Sequence, residues 1–394
     1  MYCFENTVDR RETGNMKGAV AEELPRDTVC LWGAEMDYPT APCIRQALAD
    51  FSTKGIYGYT LPGEEYTSAI CRWMRTVRQA EIRADWIVPT MGTVYALCTA
   101  VRAFTEEGDG VIIQSPSYYR FDRAVERSGR RLVADPLREV QGKYTLDLAS
   151  LEEKMADPRN KLMILVNPHN PTGRVFAEDE LLAIRALAKK HSVIVFSDEI
   201  FAETAQPGHE TRPYAVLDSG GISCFSLGKS FNFTGVSQAN LLIVDEELRA
   251  RYVAQRDRDH FGSLDPFFYN ALLAAYSEEG ADWLRAMNRH TAEIYELIRT
   301  CLEKDMPRLS LSPLEGGYIA WLDCRRLGLD EEALRRFFEQ EALICADPGA
   351  EYGEAGRGFY RWNIATTKAN VERALSQLKT AYDKRFKNKE EHER

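Results

Sequence analysis

Short apolar runs recur through the middle of this 394-residue chain, separated by stretches of helical length. They are Val111-Ile112-Ile113, Leu162-Met163-Ile164-Leu165-Val166, Val193-Ile194-Val195-Phe196, Ser223-Cys224-Phe225-Ser226 and Leu241-Leu242-Ile243-Val244. Unbroken runs such as 162–166 read as strands covered on both faces rather than as half-exposed ones. Between them, residues 178–190 carry amphipathic helical spacing, and helices are expected from Gly92 through Phe104 and up to about Ser128. Strands alternating with helices predict an α/β fold with a mostly parallel, doubly wound sheet.

Earlier, residues 64–77 place Tyr66, Ile70, Trp73, Met74 and Val77 on one helical face. After about residue 280 the pattern changes. One long helix is expected over 281–303, then a strand at Tyr318–Leu322, a helix at 331–340, and strands near Leu343–Cys345 and from Phe359 to Ile364. A closing helix over about 368–386 completes a smaller α+β domain. The expected division is residues 1–45 as an N-terminal segment shared with the small domain, 46–285 as the large domain, and 286–394 as the small one. The charged tail from Lys387 to Arg394 is expected to fray.

The net charge of −10 argues against nucleic acid as a partner, since phosphate binding needs clustered Lys and Arg. The first residues lack the apolar core of a signal peptide, and no stretch approaches the roughly 20 apolar residues of a membrane helix. The nine cysteines are odd in number, scattered, and without a paired C-x-x-C set. Neither a metal site nor a disulfide framework is favoured; reduced thiols in a cytoplasmic protein are the expectation.

Three polar residues follow the apolar runs in order. Asn170 lies in Asn167-Pro168-His169-Asn170-Pro171-Thr172-Gly173, Asp198 ends Phe196-Ser197-Asp198, and Lys229 ends Ser226-Leu227-Gly228-Lys229. Ligands of open α/β sheets bind at the carboxyl ends of strands, which is where these residues fall. An amine that captures an aldehyde, a carboxylate that pairs with a protonated ring nitrogen, and an amide that donates to a phenolic oxygen together suit pyridoxal phosphate. Each has a plainer reading. Lys229 could be a surface lysine, Asp198 a strand-end cap beside the equally acidic Glu199, and Asn170 a residue of a rigid structural turn.

Other candidates are graded by chemistry. Gly92 and Thr93 open a helix after a strand, and amides at a helix N-terminus cradle phosphate. The Ser226 hydroxyl suits a phosphate as well. Tyr118, after Ser115-Pro116-Ser117, could stack on a planar ring or be an ordinary buried tyrosine. Arg361, within the apolar run Phe359-Tyr360-Arg361-Trp362, needs an anionic partner: a substrate carboxylate, or a structural ion pair.

With these residues in view, the chain resembles fold-type I pyridoxal-phosphate enzymes of the class I/II aminotransferase superfamily over about residues 5–385. The resemblance implies that Lys229 is the lysine joined to the cofactor, Asp198 the partner of its ring nitrogen and Asn170 the donor to its phenolic oxygen. It makes Tyr118 the stacking residue, Gly92, Thr93 and Ser226 phosphate ligands, and Arg361 the clamp on the substrate carboxylate. It also implies a homodimer with shared active sites, in which Tyr59 of Gly55-Ile56-Tyr57-Gly58-Tyr59-Thr60 reaches the other subunit's phosphate and Tyr57 serves the substrate.

Finer features are similar to the MalY/PatB-type cystathionine β-lyase branch. They include Val8-Asp9-Arg10-Arg11, Glu35-Met36-Asp37-Tyr38-Pro39, Pro116-Ser117-Tyr118-Tyr119, Ala320-Trp321-Leu322-Asp323 and the stretch from Tyr352-Gly353 to Phe359. Eight residues after the lysine, where many aminotransferases of the superfamily carry an arginine for phosphate, this chain has Ser237. Three departures stand out: Lys17-Gly18-Ala19 in place of Lys-Trp-Asp, Phe201 where relatives have His or Tyr, and Gly228-Lys229-Ser230 in place of Ser-Lys-Thr. The resemblance implies α,β-elimination from a small sulfur amino acid, with Lys229 taking the α-proton and Lys229, Tyr118 or Tyr119 protonating the thiolate. Transamination is the alternative, and a regulatory partner role a third.

Overall fold

The computed structural model describes residues 2–387. Its centre is a seven-stranded sheet built from β1 (Ile87–Met91), β2 (Gly110–Ser115), β3 (Arg131–Pro136), β4 (Asn160–Val166), β5 (Ile194–Asp198), β6 (Ile222–Phe225) and β7 (Gln238–Ile243). The strand order is β1-β7-β6-β5-β4-β2-β3. Strands β3, β2, β4, β5 and β6 run parallel; β7 runs antiparallel to both β6 and β1.

Alternate residues of each strand feed different cores, which is why the runs are apolar throughout. Val111, Ile113, Leu162, Ile164 and Val166 pack with Leu97, Val101 and Phe104 of the helix Thr93–Phe104. Ile112, Met163, Leu165 and Val195 pack on the opposite face with Leu181, Ile184 and Ala188 of the helix Glu178–His191. This is the two-residue side-chain period of a pleated strand, buried on both sides. The expected α/β architecture is the one observed.

A second sheet joins β8 (Ser310–Leu311), β9 (Ile319–Asp323), β10 (Asp347–Pro348) and β11 (Phe359–Asn363) in the order β8-β9-β11-β10, all antiparallel. The long helix runs over Glu278–Asp305, starting earlier than its apolar spacing suggests because Ser277 caps it and accepts from the Gly280 N–H. The expected helix over 331–340 is α-helical only to Arg336 and widens into a π turn over Phe337–Glu341. The closing helix is likewise α-helical over Lys368–Tyr382, with a π turn over Asp383–Lys387. Residues 388–394 of the charged tail lie outside the described residues. Near the start of the chain, Val29–Cys30 pair in parallel with Ile344–Cys345, so residues far apart in sequence meet beside the second sheet.

The link between β10 and β11 leaves no room at Gly349. A Cβ there would stand 2.1 Å from the Gly356 oxygen and 2.6 Å from the Phe359 oxygen, both backbone atoms. Gly349→Ala should therefore destabilise by about 1–3 kcal/mol, read as a lower thermal midpoint. Gly262→Ala, with nothing within 4 Å of its Cβ, should leave the midpoint in place. Equal midpoints for both variants would contradict the packing described.

Candidate active site

Three neighbouring parallel strands deliver the sequence-predicted trio to one edge of the large sheet. Asp198 is the last residue of β5 and stands in register with Val166 at the end of β4 and Cys224 on β6. Asn170 follows β4 by four residues, in a tight turn closed by Gly173 N–H to His169 O (2.8 Å) and His169 N–H to Arg174 O (2.7 Å). Gly173 takes the left-handed conformation this turn needs, at φ 73°. Lys229 follows β6 in a short helical turn, Leu227–Ser230, capped by Ser226.

The pleat separates Asp198 from Glu199. Glu199 points away from the cleft and accepts from Arg78 Nη2 (2.7 Å), Ser223 Oγ (2.6 Å) and the Tyr214 N–H (2.8 Å). Asp198 lines the cleft, is only 2% exposed, and has one hydrogen-bond donor among the described residues, the Ile200 N–H at 3.1 Å. Burial pushes its carboxyl up to about 7; the Ile200 N–H opposes this, Glu199 adds to it, and Lys229 opposes it. Burial, with the Arg361 cation adding, brings the Lys229 amine down to about 8, while Glu35 and Asp198 pull the other way. Its Nζ donates to the Ala34 carbonyl at 2.8 Å.

One cavity of about 280 Å³ is lined by Lys229, Asp198, Asn170, Arg361, Tyr118 and Tyr119. Arg361, on β11, is 3% exposed and donates through Nε (3.1 Å) and Nη2 (2.8 Å) to Asp347 Oδ2. Its Nη1 donates to Asn170 Oδ1 at 3.2 Å, which leaves the Asn170 NH₂ free to donate elsewhere. The anionic partner foreseen for Arg361 is thus present within the chain, on the strand beside it. The Tyr118 ring meets Tyr119 edge-on at 5.0 Å; burial raises its hydroxyl pKa and the Arg120 cation opposes that.

A second cavity of about 310 Å³ shares Thr93, Arg120, Lys229 and Thr234 with the first and is lined by Gly92, Ser226 and Ser237. The helix Thr93–Phe104 begins there with no side chain capping it. Its first-turn N–H groups are donors without helical partners, as an anion requires. The Ser226 hydroxyl is already engaged, donating to the Gln238 carbonyl at 2.7 Å.

Tyr57 and Tyr59 line neither cavity of their own chain. Tyr59 is 99% exposed, while Tyr57 stacks on Phe267 at 5.4 Å and donates to Ser52 O at 3.2 Å. Other cavity residues carried no assignment from the sequence: Asp347, Arg120, Thr234 and Lys17. Lys17 is buried against Asp37 at 2.6 Å, and Arg10 pairs with Glu35 at 2.8 Å. Three short motifs noticed separately in the sequence, at Val8–Arg11, Lys17–Ala19 and Glu35–Pro39, therefore fold onto one another beside the cleft.

The profile for aminotransferase class I and II matches residues 29–378. The chain belongs to that family. Among its aminotransferase class I and II relatives, Cystathionine beta-lyase PatB of Bacillus subtilis is 33% identical over 384 residues, covering 96% of this chain and 99% of PatB. Protein MalY of Escherichia coli is 31% identical, covering 96% of this chain and 98% of MalY. The crystal structure of cystalysin from Treponema denticola, which contains pyridoxal 5'-phosphate, matches with a TM-score of 0.94 at 31% identity over 98% of this chain and 99% of its own.

The donor set of this family member fits that cofactor. A buried carboxyl has one donor among the described residues, an amine with a depressed pKa lines the same cavity, and uncapped helix amides face a neighbouring one. The Asp198 pKa of about 7 exceeds the ordinary carboxylate value of about 3.9. The fold therefore favours its protonated form, and this contribution to stability is full below about pH 4 and lost as pH rises through about 7. In cofactor-free protein, the thermal midpoint of wild type should fall relative to Asp198→Asn across that window. A difference that does not vary with pH would contradict the raised value.

Proposed function

We propose that this chain is a pyridoxal-phosphate-dependent carbon–sulfur β-lyase. It converts a cysteine S-conjugate and water into a thiol, pyruvate and ammonium. The carrying observation is a single cavity lined by Lys229, Asp198, Asn170, Tyr118 and Arg361, in a chain that matches proteins named cystathionine beta-lyase end to end. The neutral Ser237 beside the uncapped helix adds support.

Bound in this cleft, the cofactor supplies a ring that withdraws electrons from the substrate α-carbon. Lys229 would hold the cofactor and would accept the substrate α-proton; a pKa near 8 leaves an appreciable neutral fraction for that task. Asp198 keeps the ring nitrogen protonated by pairing with it. Asn170 would hold the phenolic oxygen through its free NH₂, Tyr118 would cover the ring, and Gly92, Thr93 and Ser226 would hold the phosphate. Phe201, which lines the cleft, has no hydroxyl to share Asn170's role. Arg361 holds the α-carboxylate through its Nη1/Nη2 edge while Asp347 fixes the Nε/Nη2 edge. Lys229, Tyr118 or Tyr119 returns a proton to the departing sulfur.

The same proposal includes a homodimer. Ile56, Tyr57, Tyr59 and Leu61 form an exposed apolar stretch that a second subunit would cover, bringing Tyr59 to that subunit's phosphate and Tyr57 to its substrate. A cytoplasmic setting would keep the nine free thiols reduced.

Purified enzyme should release pyruvate from L-cystathionine or L-cystine, and Lys229→Ala should lower that rate by more than about a thousandfold. Borohydride reduction of the loaded enzyme should leave the cofactor attached at Lys229. Amino-group transfer to a keto acid, with no thiol released from any sulfur amino acid, would overturn the lyase reading in favour of transamination.

A further inference from the structure

The cleft holds four cations, and their partners differ. Lys17 is paired with Asp37 and Arg361 with Asp347. Lys229 is committed to the cofactor under the lyase reading. Arg120 lines both cavities of the site and has no carboxylate within ion-pairing distance among the described residues. Of the carboxylates lining the same cleft, Glu35 accepts from Arg10 and Asn15, Asp347 accepts from Arg361 and the Gly33 N–H, and Asp198 is left to the cofactor under the lyase reading.

Arg120 does not stand alone. It starts a stripe with Arg123 and Arg127, at helical spacing along Tyr119–Glu126 and its cap. The stripe borders an open cavity of about 920 Å³ that Arg130 also lines. Arg123 lies over the Tyr119 ring at 4.8 Å. Arg130 is held by Thr105 and by the Ser128 carbonyl. None of these four guanidiniums has a carboxylate partner among the described residues, although Glu107 and Glu126 border the same cavity. Such a surface is unexpected on a chain of net charge −10. Tyr119 and Arg120 line both this cavity and the catalytic one, so the basic lane continues the substrate cleft outward.

Under the lyase reading the α-carboxylate is matched to Arg361, which leaves the lane, running outward from the same cleft, for the substrate's other end. We propose that Arg120, backed by Arg123 and Arg127, binds an anionic group on the sulfur side, making cysteine S-conjugates whose leaving thiol carries a carboxylate the preferred substrates. This rests on the lyase reading. A guanidinium and a carboxylate in a partly dried cleft form a charge-assisted hydrogen bond, stronger than a neutral one.

The test compares S-carboxyethyl-L-cysteine with S-propyl-L-cysteine, of similar length and differing in the terminal charge, by pyruvate release from holoenzyme. Wild type should favour the acidic conjugate in kcat/KM by about tenfold or more. Arg120→Met should bring the ratio near one, with the loss on the acidic conjugate falling on KM. Arg120→Glu should invert it. A wild-type ratio near one, or a ratio that Arg120→Met does not change, overturns the proposal. So does an Arg120→Met variant that weakens pyridoxal phosphate binding and slows both conjugates alike, since the guanidinium would then serve the phosphate. Pyruvate from neither conjugate overturns the lyase reading itself, and the preference falls with it.

Discussion

A carboxylate buried at the end of a central strand is the interaction on which this site depends. Among the described residues the Asp198 carboxyl has a single N–H donor, and it sits between two other parallel strands in a low-dielectric interior. Such a group is costly unless a cation meets it. Among the described residues none is in ion-pairing contact, while Lys229 acts on it from a distance. The protein thus holds, in a cleft of ligand size, a carboxyl whose ionised form lacks a partner and which a cationic ligand would complete.

The same logic sets the character of Lys229. Its amine stands between the Arg361 cation, which discourages charge on it, and Asp198 and Glu35, which encourage it. Burial decides the balance and leaves it close to neutrality. Arg361 does not impose its full field, because Asp347 is fixed against it by two hydrogen bonds. Asp347 therefore does two things: it orients the guanidinium, and it limits how far that cation depresses the amine.

Much of this was legible before any coordinates. Apolar runs covered on both faces have no other home than a sheet between two layers of helices, so the architecture and the edge that carries Asn170, Asp198 and Lys229 follow from local pattern. Glu199 could not be told from Asp198 on charge alone; the pleat separates them, sending one to Arg78 and the other to the cleft. Partners distant in sequence were out of reach. Arg361 announced its need for an anion, but nothing in the chain named Asp347 until β10 paired with β11. Lys17 with Asp37, and Arg10 with Glu35, required the N-terminal segment to fold back on itself. Tyr57 and Tyr59 show the converse limit: the motif assigned them to the site, and they stand off the cavities of the chain that carries them.

The segment from Gly33 to Asp37 explains why the cleft is formed by both sheets at once. Gly33 N–H reaches Asp347 beside the small sheet, and the Glu35 carbonyl accepts from Asn363 on β11. Met36 is held by Asn232, three residues after Lys229 on the large-sheet side. Ala34, between these anchors, accepts from both Lys229 and Tyr318. A stretch tied to both layers through its own backbone must shift if either layer moves, because buried N–H and C=O groups do not surrender partners cheaply. The position of the Lys229 amine and the relative placement of the two sheets are therefore coupled through five residues of irregular chain. That coupling is also why the rim motifs are dense in charge: Arg10, Lys17, Glu35 and Asp37 hold in register a segment with no strand or helix to hold it.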